Sequence, residues 1–373
     1  MRVLVLNAGS SSLKGSIIDS LDGRTVAKDE LSLGADATRR QGLERTVKGL
    51  LRKLQVGVSQ DIDAVGHRVV HGGTRFRSAV RIDARVLRSI EELEAFAPLH
   101  NRLAAQGIRA GQSALPSVPH IAAFDTAFHA TLTEDQFLYP VPWRWQREAG
   151  IRRFGFHGLS VEWSVGRAAE LLGRPAGQLA MVVAHLGSGC SVTAVLNGGS
   201  VATSMGLTPM EGLMMGTRSG SIDPGILLYM LRTRQAGWQE LETALDHESG
   251  LVGVFGRKVG MREIEKAAAN GNKRAQLALD MFVGRAAGGI AGVATTLPRL
   301  DALVFTGGIG EHASAIRSAI VQRLALLGVA PVVAREVRND AIISEALARV
   351  AVLRVEARED AVISSRVAAI LSL

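Results

Sequence analysis

The chain has 373 residues, 47% of them hydrophobic and 21% charged, which excludes intrinsic disorder and predicts about two to three domains, each with its own core. Forty-three Lys and Arg against 35 Asp and Glu leave a formal charge of +8. With only 4% aromatic residues, scattered basic residues and no recognition-helix or RNP-like pattern, small phosphorylated anions are the expected partners and nucleic acid is not. The lone cysteine, Cys190, excludes an internal disulfide and a cysteine-built zinc site.

Met1 and Arg2 precede only four apolar residues before Asn7, too few for a signal-peptide core, and a cytoplasmic protein without membrane contact is expected. The apolar run 2–6 reads as a strand, NAGSSS at 7–12 breaks it, and 13–18 resumes it, a hairpin with a Gly/Ser tip. Strands are predicted at 64–70 and 120–124, helices at 84–97, 102–113 and 160–172, and a surface turn at Pro140 and Pro142. The stretch 179–210 lacks charge, but His185, Ser188, Asn197 and five glycines interrupt it, so it reads as short strands and turns rather than a membrane span. Within it, MVVAH leads into LGSGC and SVTAVL, then the turn Asn197, Gly198, Gly199, which repeats the N-terminal pattern. Helices follow at 225–235, at 261–296 with a break near Gly271, and at 313–327. LVFT running into GGIGE, at 303–311, is a third version of the strand and glycine tip, and 350–355 reads as a strand. Two strand–tip–strand units about 175 residues apart predict a duplicated α/β domain whose halves face each other across a cleft.

A Gly/Ser tip offers backbone N–H groups and hydroxyls, here those of Ser10 and Ser12, to phosphate oxygens, and Lys14 adds a positive charge just beyond it. The Walker A spacing is absent. HRVVHGG, at 67–73, sets Arg68 inside a strand, where a guanidinium requires an anion and its planar fork matches a carboxylate. His67 and His71, four apart on a strand, do not build a zinc site. FDTAFH places Asp125 at the C-terminal end of an apolar strand, where open α/β sheets hold ligands. RRFGFHG sets His157 between Phe156 and Gly158, and MGTRSG sets Arg218 in a glycine-bounded loop. Singly each of these is more often structural. Together they are the positioning and charge-stabilising groups that phosphoryl transfer needs.

Six motifs in order, NAGSSSLK, HRVVHGG, FDTAFH, RRFGFHG, MGLTPMEGLMMGTRSG and FTGGIGE, give the chain a resemblance to the acetate kinase (acetokinase) family, with matches from Asn7 to about Glu359. The resemblance implies duplicated ribonuclease-H-like domains of the actin-like ATPase superfamily with a central interdomain cleft. It implies Mg2+-dependent (or Mn2+-dependent) phosphoryl transfer between ATP and acetate, and a homodimer. By motif, Asn7 and Glu359 would hold the metal and Lys14 would contact phosphate; Arg68 would bind the acetate carboxylate; His157 and Arg218 would stabilise the transferring group, with Asp125 as the family's acid/base. The adenosine site would comprise His185, Leu186, Gly187, Ser188 and Gly189, with Gly260, Met261 and Arg262, and Gly308, Ile309, Gly310, Glu311 and His312. Val70, Leu99, Phe156 and Pro209 match the apolar pocket for the methyl group.

A carboxylic acid of pKa about 4 to 5 is already ionised at neutral pH, so Asp125 has no proton to remove and orienting Arg68, Arg218 or a metal-bound water is the alternative role. The chain departs from the family pattern at Ser188, Gly260 and His312, all on the nucleotide side, at Ser221, at Arg102 after LHN, and in AREDAVI around Glu359. Nucleotide preference therefore stays open. A propionate or other short-chain acyl kinase, and a non-catalytic actin-like nucleotide sensor, are the competing readings. The expected domains are 1–125 with 360–373, and 126–359, the latter carrying nucleotide binding and dimerisation.

Overall fold

The computed structural model describes residues 1–9, 12–33, 40–56, 61–333 and 335–372, the side chains of 40, 41, 95, 98 and 99 apart. In chain order the first elements are β1 (Arg2–Ala8), β2 (Ser12–Asp19), β3 (Thr25–Ser32), α1 (Arg40–Lys53), β4 (Ala64–Val69), β5 (Val80–Arg81), α2 (Ala84–Glu92), α3 (Pro98–Ala114) and β6 (His120–Phe124). Next come α4 (Glu134–Phe137), α5 (Trp143–Ala149), α6 (Gly158–Leu172), β7 (Ala180–Leu186), β8 (Cys190–Leu196) and β9 (Gly199–Thr203). The helices α7 (Pro224–Arg232), α8 (Trp238–His247), α9 (Gly250–Phe255), α10 (Met261–Ala269) and α11 (Lys273–Ala294) follow. The chain closes with β10 (Ala302–Thr306), α12 (Gly307–His312), α13 (Ser314–Gln322), β11 (Ala341–Ile342), β12 (Ala351–Arg354) and α14 (Glu359–Leu371).

The contacts divide the chain into two units: Met1–Ala130 with Phe156–Trp163 and Arg358–Leu373, and Thr131–Gly155 with Ser164–Ala357. The first holds a six-stranded sheet ordered β3-β2-β1-β4-β6-β5, the second one ordered β9-β8-β7-β10-β12-β11. Strand directions repeat as well. β1 is antiparallel to β2 and parallel to β4, and β7 is antiparallel to β8 and parallel to β10. β6 and β12 extend the parallel part, and the short β5 and β11 close it antiparallel. The two sheets are one plan used twice.

In the first unit, Val3 and Val5 of β1 face α14 in a cluster with Ala64, Ile121, Ala123, Val362 and Ile363, while Leu4 and Leu6 face Val47 and Leu50 of α1 and Leu54 just after it. That alternation is the period-two signal of a strand covered on both sides. β3, by contrast, is a polar edge strand with half-exposed residues and little hydrophobic signal, and neither it nor α1, which buries Leu43, Val47 and Leu50, is among the elements expected from sequence. α8 and α9 were also not predicted; α8 buries none of its residues, and α9 is only six residues long.

The predicted helix 261–296 is two helices. α10 ends at Ala269, and Asn272 starts α11 by accepting a hydrogen bond from the Ala275 amide at 2.9 Å. GGIGE does not repeat the hairpin tip: it forms the first turn of α12 directly after β10, because a parallel connection must cross over the sheet rather than fold straight back. α11 is long and apolar enough to cross a membrane, and it buries Ala278, Phe282, Ala286 and Ile290 inside the second unit.

Candidate active site

On the face of the first sheet under α14, three neighbouring parallel strands end alike. β1 runs Val3, Val5, Asn7; β4 runs Ala64, Gly66, Arg68; and β6 runs Ile121, Ala123 and then Asp125. Apolar residues give way to polar ones at the C-terminal ends. α14 packs so close to β4 that a Cβ on Gly66 would lie 2.5 Å from the Ile363 side chain, which brings Glu359, the first residue of α14, to the same strand ends. Arg68 donates from Nε to Asp125 Oδ1 at 3.0 Å and from Nη2 to Oδ2 at 2.6 Å, and its Nη1 lies 3.1 Å from Glu359 Oε2. Burial works against the guanidinium charge, but the Asp125 and Glu359 carboxylates outweigh it and raise the Arg68 pKa above its ordinary value. Asp125 is 1% exposed, whereas Arg68 keeps 18% of its side chain exposed with Glu359 on the edge that Asp125 leaves.

The motifs of this unit are tied to one another. The Asp125 amide donates to Val69 O at 3.0 Å, the Gly72 amide to Thr126 Oγ1 at 3.0 Å, and the Gly158 amide to Asp125 O at 2.8 Å. A Cβ on Gly158 would sit 2.1 Å from that same carbonyl oxygen, so glycine is required there. His157 before it has φ +57°, a left-handed backbone that costs about 1 kcal/mol or more for a residue with a Cβ. Buried His129 donates from Nε2 to Phe156 O at 2.9 Å, and burial pulls its pKa down to about 4. His71 is fully buried between Phe96 and Phe156, its backbone held at both N–H and C=O by Asn101 at 3.0 and 2.9 Å. His67 donates from Nε2 to His120 Nδ1 at 2.9 Å, an assignment set by His120 Nε2 lying 3.0 Å from Leu115 O. Burial, with the His120 ring adding to it, holds His67 well below the histidine range.

The second unit carries a cavity of about 570 Å³, within the range of small-molecule sites. Gly187 and Ser188 from the β7–β8 tip, Gly260, Met261 and Arg262 at the start of α10, and Gly308, Ile309 and His312 of α12 line it. The GTRSG loop closes one side: Gly216 and Thr217 are also lining residues, and the Gly216 amide donates to Ser188 O at 3.0 Å. Arg218 turns to Asp246, donating from Nε to Oδ1 at 2.9 Å, and from Nη1 to Pro209 O at 3.2 Å. Glu311 points inward, accepting from the Ala357 amide at 3.0 Å and facing buried Arg354 at 3.6 Å.

Asn7, Arg68, Asp125 and Glu359 thus share one set of strand ends, with Phe156 and His157 bonded into the same motif network. Val70 follows directly on β4 and is half-buried. Lys14 is exposed on β2, 3.9 Å from Glu30, and Ser12 opens that strand. Ser10 and the side chain of Leu99 lie outside the described residues. Among the adenosine-site candidates, His185, Leu186, Gly189 and Gly310 belong to the same segments as the cavity-lining residues without lining it. Asp246 and the Arg153–Glu211–Tyr139 cluster, which fixes the loop carrying Pro209, were not singled out from sequence. Arg153 and Glu211 lie inside the motifs RRFGFHG and MGLTPMEGLMMGTRSG, which marked the neighbourhood without assigning them a role, and Asp246 lies in no motif.

A duplicated ribonuclease-H-like sheet plan, a carboxylate-held arginine at the strand ends of one unit and a glycine-lined cavity in the other define a phosphotransferase of the actin-like ATPase class. The acetokinase family pattern matches residues 22–365. An acetate kinase of Deinococcus radiodurans is 45% identical over 346 residues, covering 88% of this chain and 87% of that protein. A propionate kinase of Yersinia enterocolitica is 40% identical, covering 97% and 95%. The crystal structure of Porphyromonas gingivalis acetate kinase superposes with a TM-score of 0.89 at 33% identity, covering 99% of each chain. The chain belongs to the acetokinase family, kinases that use ATP/ADP and a carboxyl group as phosphoryl acceptor.

Proposed function

We propose that this chain transfers the terminal phosphoryl group of ATP to acetate, reversibly giving acetyl phosphate and ADP by direct in-line attack. The observation that carries the reading is the partly exposed guanidinium of Arg68, held in place by buried Asp125 at a sheet's C-terminal edge. The acid arrives ionised and needs no base. Both Asp125 oxygens are occupied by Arg68, so Asp125 acts as a positioning residue that sets the fork, and His157 and Arg218 counter the charge of the transferring group. The first unit handles the carboxylate. The second binds nucleotide in its cavity, where Ser188, Gly260 and His312 tune preference for the base and ribose.

Among the described residues no three His, Cys, Asp or Glu side chains gather as a metal-binding set. One carboxylate, Glu359, and one amide oxygen, Asn7, at adjoining strand and helix ends suit a hard cation that takes its remaining ligands from water and phosphates, so the residues fit Mg2+ or Mn2+. When bound, the ion supplies charge neutralisation of the phosphates. Asn7 and Glu359 would hold it.

The protein acts as a cytoplasmic homodimer. α7 leaves Ile226, Leu228, Tyr229 and Leu231 exposed, with Trp238 at the start of α8, an apolar surface that a second copy would cover. A hydroxamate assay with ATP and acetate tests the activity, and no product would sink the reading in favour of a nucleotide sensor. Arg218→Ala should lower kcat by about 10²- to 10³-fold with little change in acetate KM, the pattern of a group that acts on the transition state. Propionate is the second reading, because propionate kinases match over as much as 97% of the chain and one methylene is worth only about 1–3 kcal/mol in an apolar pocket. A panel of two- to four-carbon acids ranks them by kcat/KM.

A further inference from the structure

We propose that Glu359 is a metal-linked gate on the carboxylate site: it occupies the free edge of Arg68 and yields that edge to the acid when a divalent cation takes the glutamate. The proposal rests on the reading of Arg68 as the receptor for the acid.

A guanidinium has five N–H donors in a flat fork. Asp125 takes the Nε and Nη2 side at 3.0 and 2.6 Å, which leaves the outer Nη1–Nη2 edge for a second carboxylate. Glu359 Oε2 is already at that edge, 3.1 Å from Nη1. One guanidinium between two carboxylates leaves a local charge of −1, and an incoming acid would make it −2.

One of the two residents has to give way, and Asp125 cannot. It is 1% exposed, makes two hydrogen bonds to the fork, and has its backbone N–H on Val69 and its C=O on Gly158. Glu359 has the opposite character: 18% exposed, a single ion pair, and a position at the first residue of a helix. Its neighbours Arg358 and Asp360 pair with each other at 3.0 Å and do not hold it back. A cation that draws Glu359 away both frees the Arg68 edge and cancels the excess negative charge. Carboxylate binding is therefore linked to metal binding through one side chain, and the acid is turned away from an active site that lacks its cation.

The test measures acetate binding, not turnover, on the full-length protein. Broadening of the acetate methyl NMR signal is titrated in ADP with EDTA and in ADP with Mg2+. For wild type, acetate should bind at least tenfold more tightly with Mg2+. Glu359→Gln, which keeps the shape and loses the charge, should bind acetate as tightly in EDTA as wild type does in Mg2+, and respond to the metal less than twofold. Equal acetate affinity of wild type in EDTA and Mg2+ overturns the gate, as does a Glu359→Gln protein that binds no better than wild type in EDTA. The wild-type comparison stands even if the variant fails to fold. Arg68→Ala separates the two claims: wild-type acetate binding in that variant would remove Arg68 as the receptor itself, whereas a metal-insensitive wild type that still needs Arg68 would remove only the gate.

Discussion

Each unit sets an arginine between two carboxylates near the ends of its parallel strands, and the two are treated differently. Arg68 is gripped at 2.6–3.1 Å by Asp125 and Glu359 and keeps 18% of its side chain exposed. Arg354, on β12, the strand that corresponds to β6, is 2% exposed and faces Glu311 at 3.6 Å and Asp340 at 3.4 Å. Glu311 and Asp340 also accept the Ala357 and Glu356 amides, so the second cluster ties strand, helix and following loop together. A sealed guanidinium with loose partners can only hold structure. One that stays partly exposed while its partners fix its orientation is preorganised for the ligand role proposed for Arg68. Exposure, not residue type, separates Arg68, the arginine proposed to bind the acid, from the sealed Arg354.

Truncating both arginines gives the sharpest test of that contrast. Arg68→Ala should lower kcat/KM for acetate by about 10³-fold, mostly through KM, and deprive the buried Asp125 carboxylate of its guanidinium. Arg354→Ala should instead destabilise the fold by about 3–5 kcal/mol in denaturant titrations, with a much smaller change in the acetate KM of the folded enzyme. Equal acetate KM defects in the two would break the comparison.

Next in size is a pH effect confined to the first unit. His129 has a folded pKa of about 4 against about 6.5 in the unfolded chain, so between those values the unfolded state binds more protons and stability rises with pH. The contribution is complete above pH 6.5 and about 3 kcal/mol is lost as pH falls to 4. Urea titrations from pH 7.5 to pH 4 read this directly, and His129→Gln should flatten the slope. A smaller loss, about 1–3 kcal/mol, is expected for Gly158→Ala, whose methyl group would be driven into the Asp125 carbonyl. Smallest of all, Ser188→Asn at the cavity wall should change the ATP KM by less than about tenfold and leave the acetate KM unaltered. A shift in acetate KM instead would mean that the cavity serves something other than nucleotide.

Much of the site was legible as local chemistry. Arg68 and Asp125 were recognisable because each interrupts or ends an apolar strand, and Gly187 and Gly308 because glycine-rich turns follow strands, whereas Gly260 came only from the family resemblance. Orienting Arg68 was among the roles left open for Asp125, and the two hydrogen bonds from the guanidinium support that reading. Asp246, the partner of Arg218, was not legible: it sits in DHESG, an exposed helix end with no pattern that ties it to a loop 28 residues away. Nor was the inward turn of Glu311, which the GGIGE motif presents like its neighbours.

By itself the amino-acid order determined the strands and glycine turns, the duplicated plan and the identity of the polar residues at strand ends, because side-chain period, Cβ sterics and charge act within a few residues of one another. Which carboxylate meets which guanidinium was decided only by the tertiary structure. Glu359 reaches Arg68 because Gly66 lets α14 press onto β4, and Arg354 is sealed because Glu311 and Asp340 close over it. Those pairings depend on how closely packed elements approach, a property of the assembled core that no local pattern encodes.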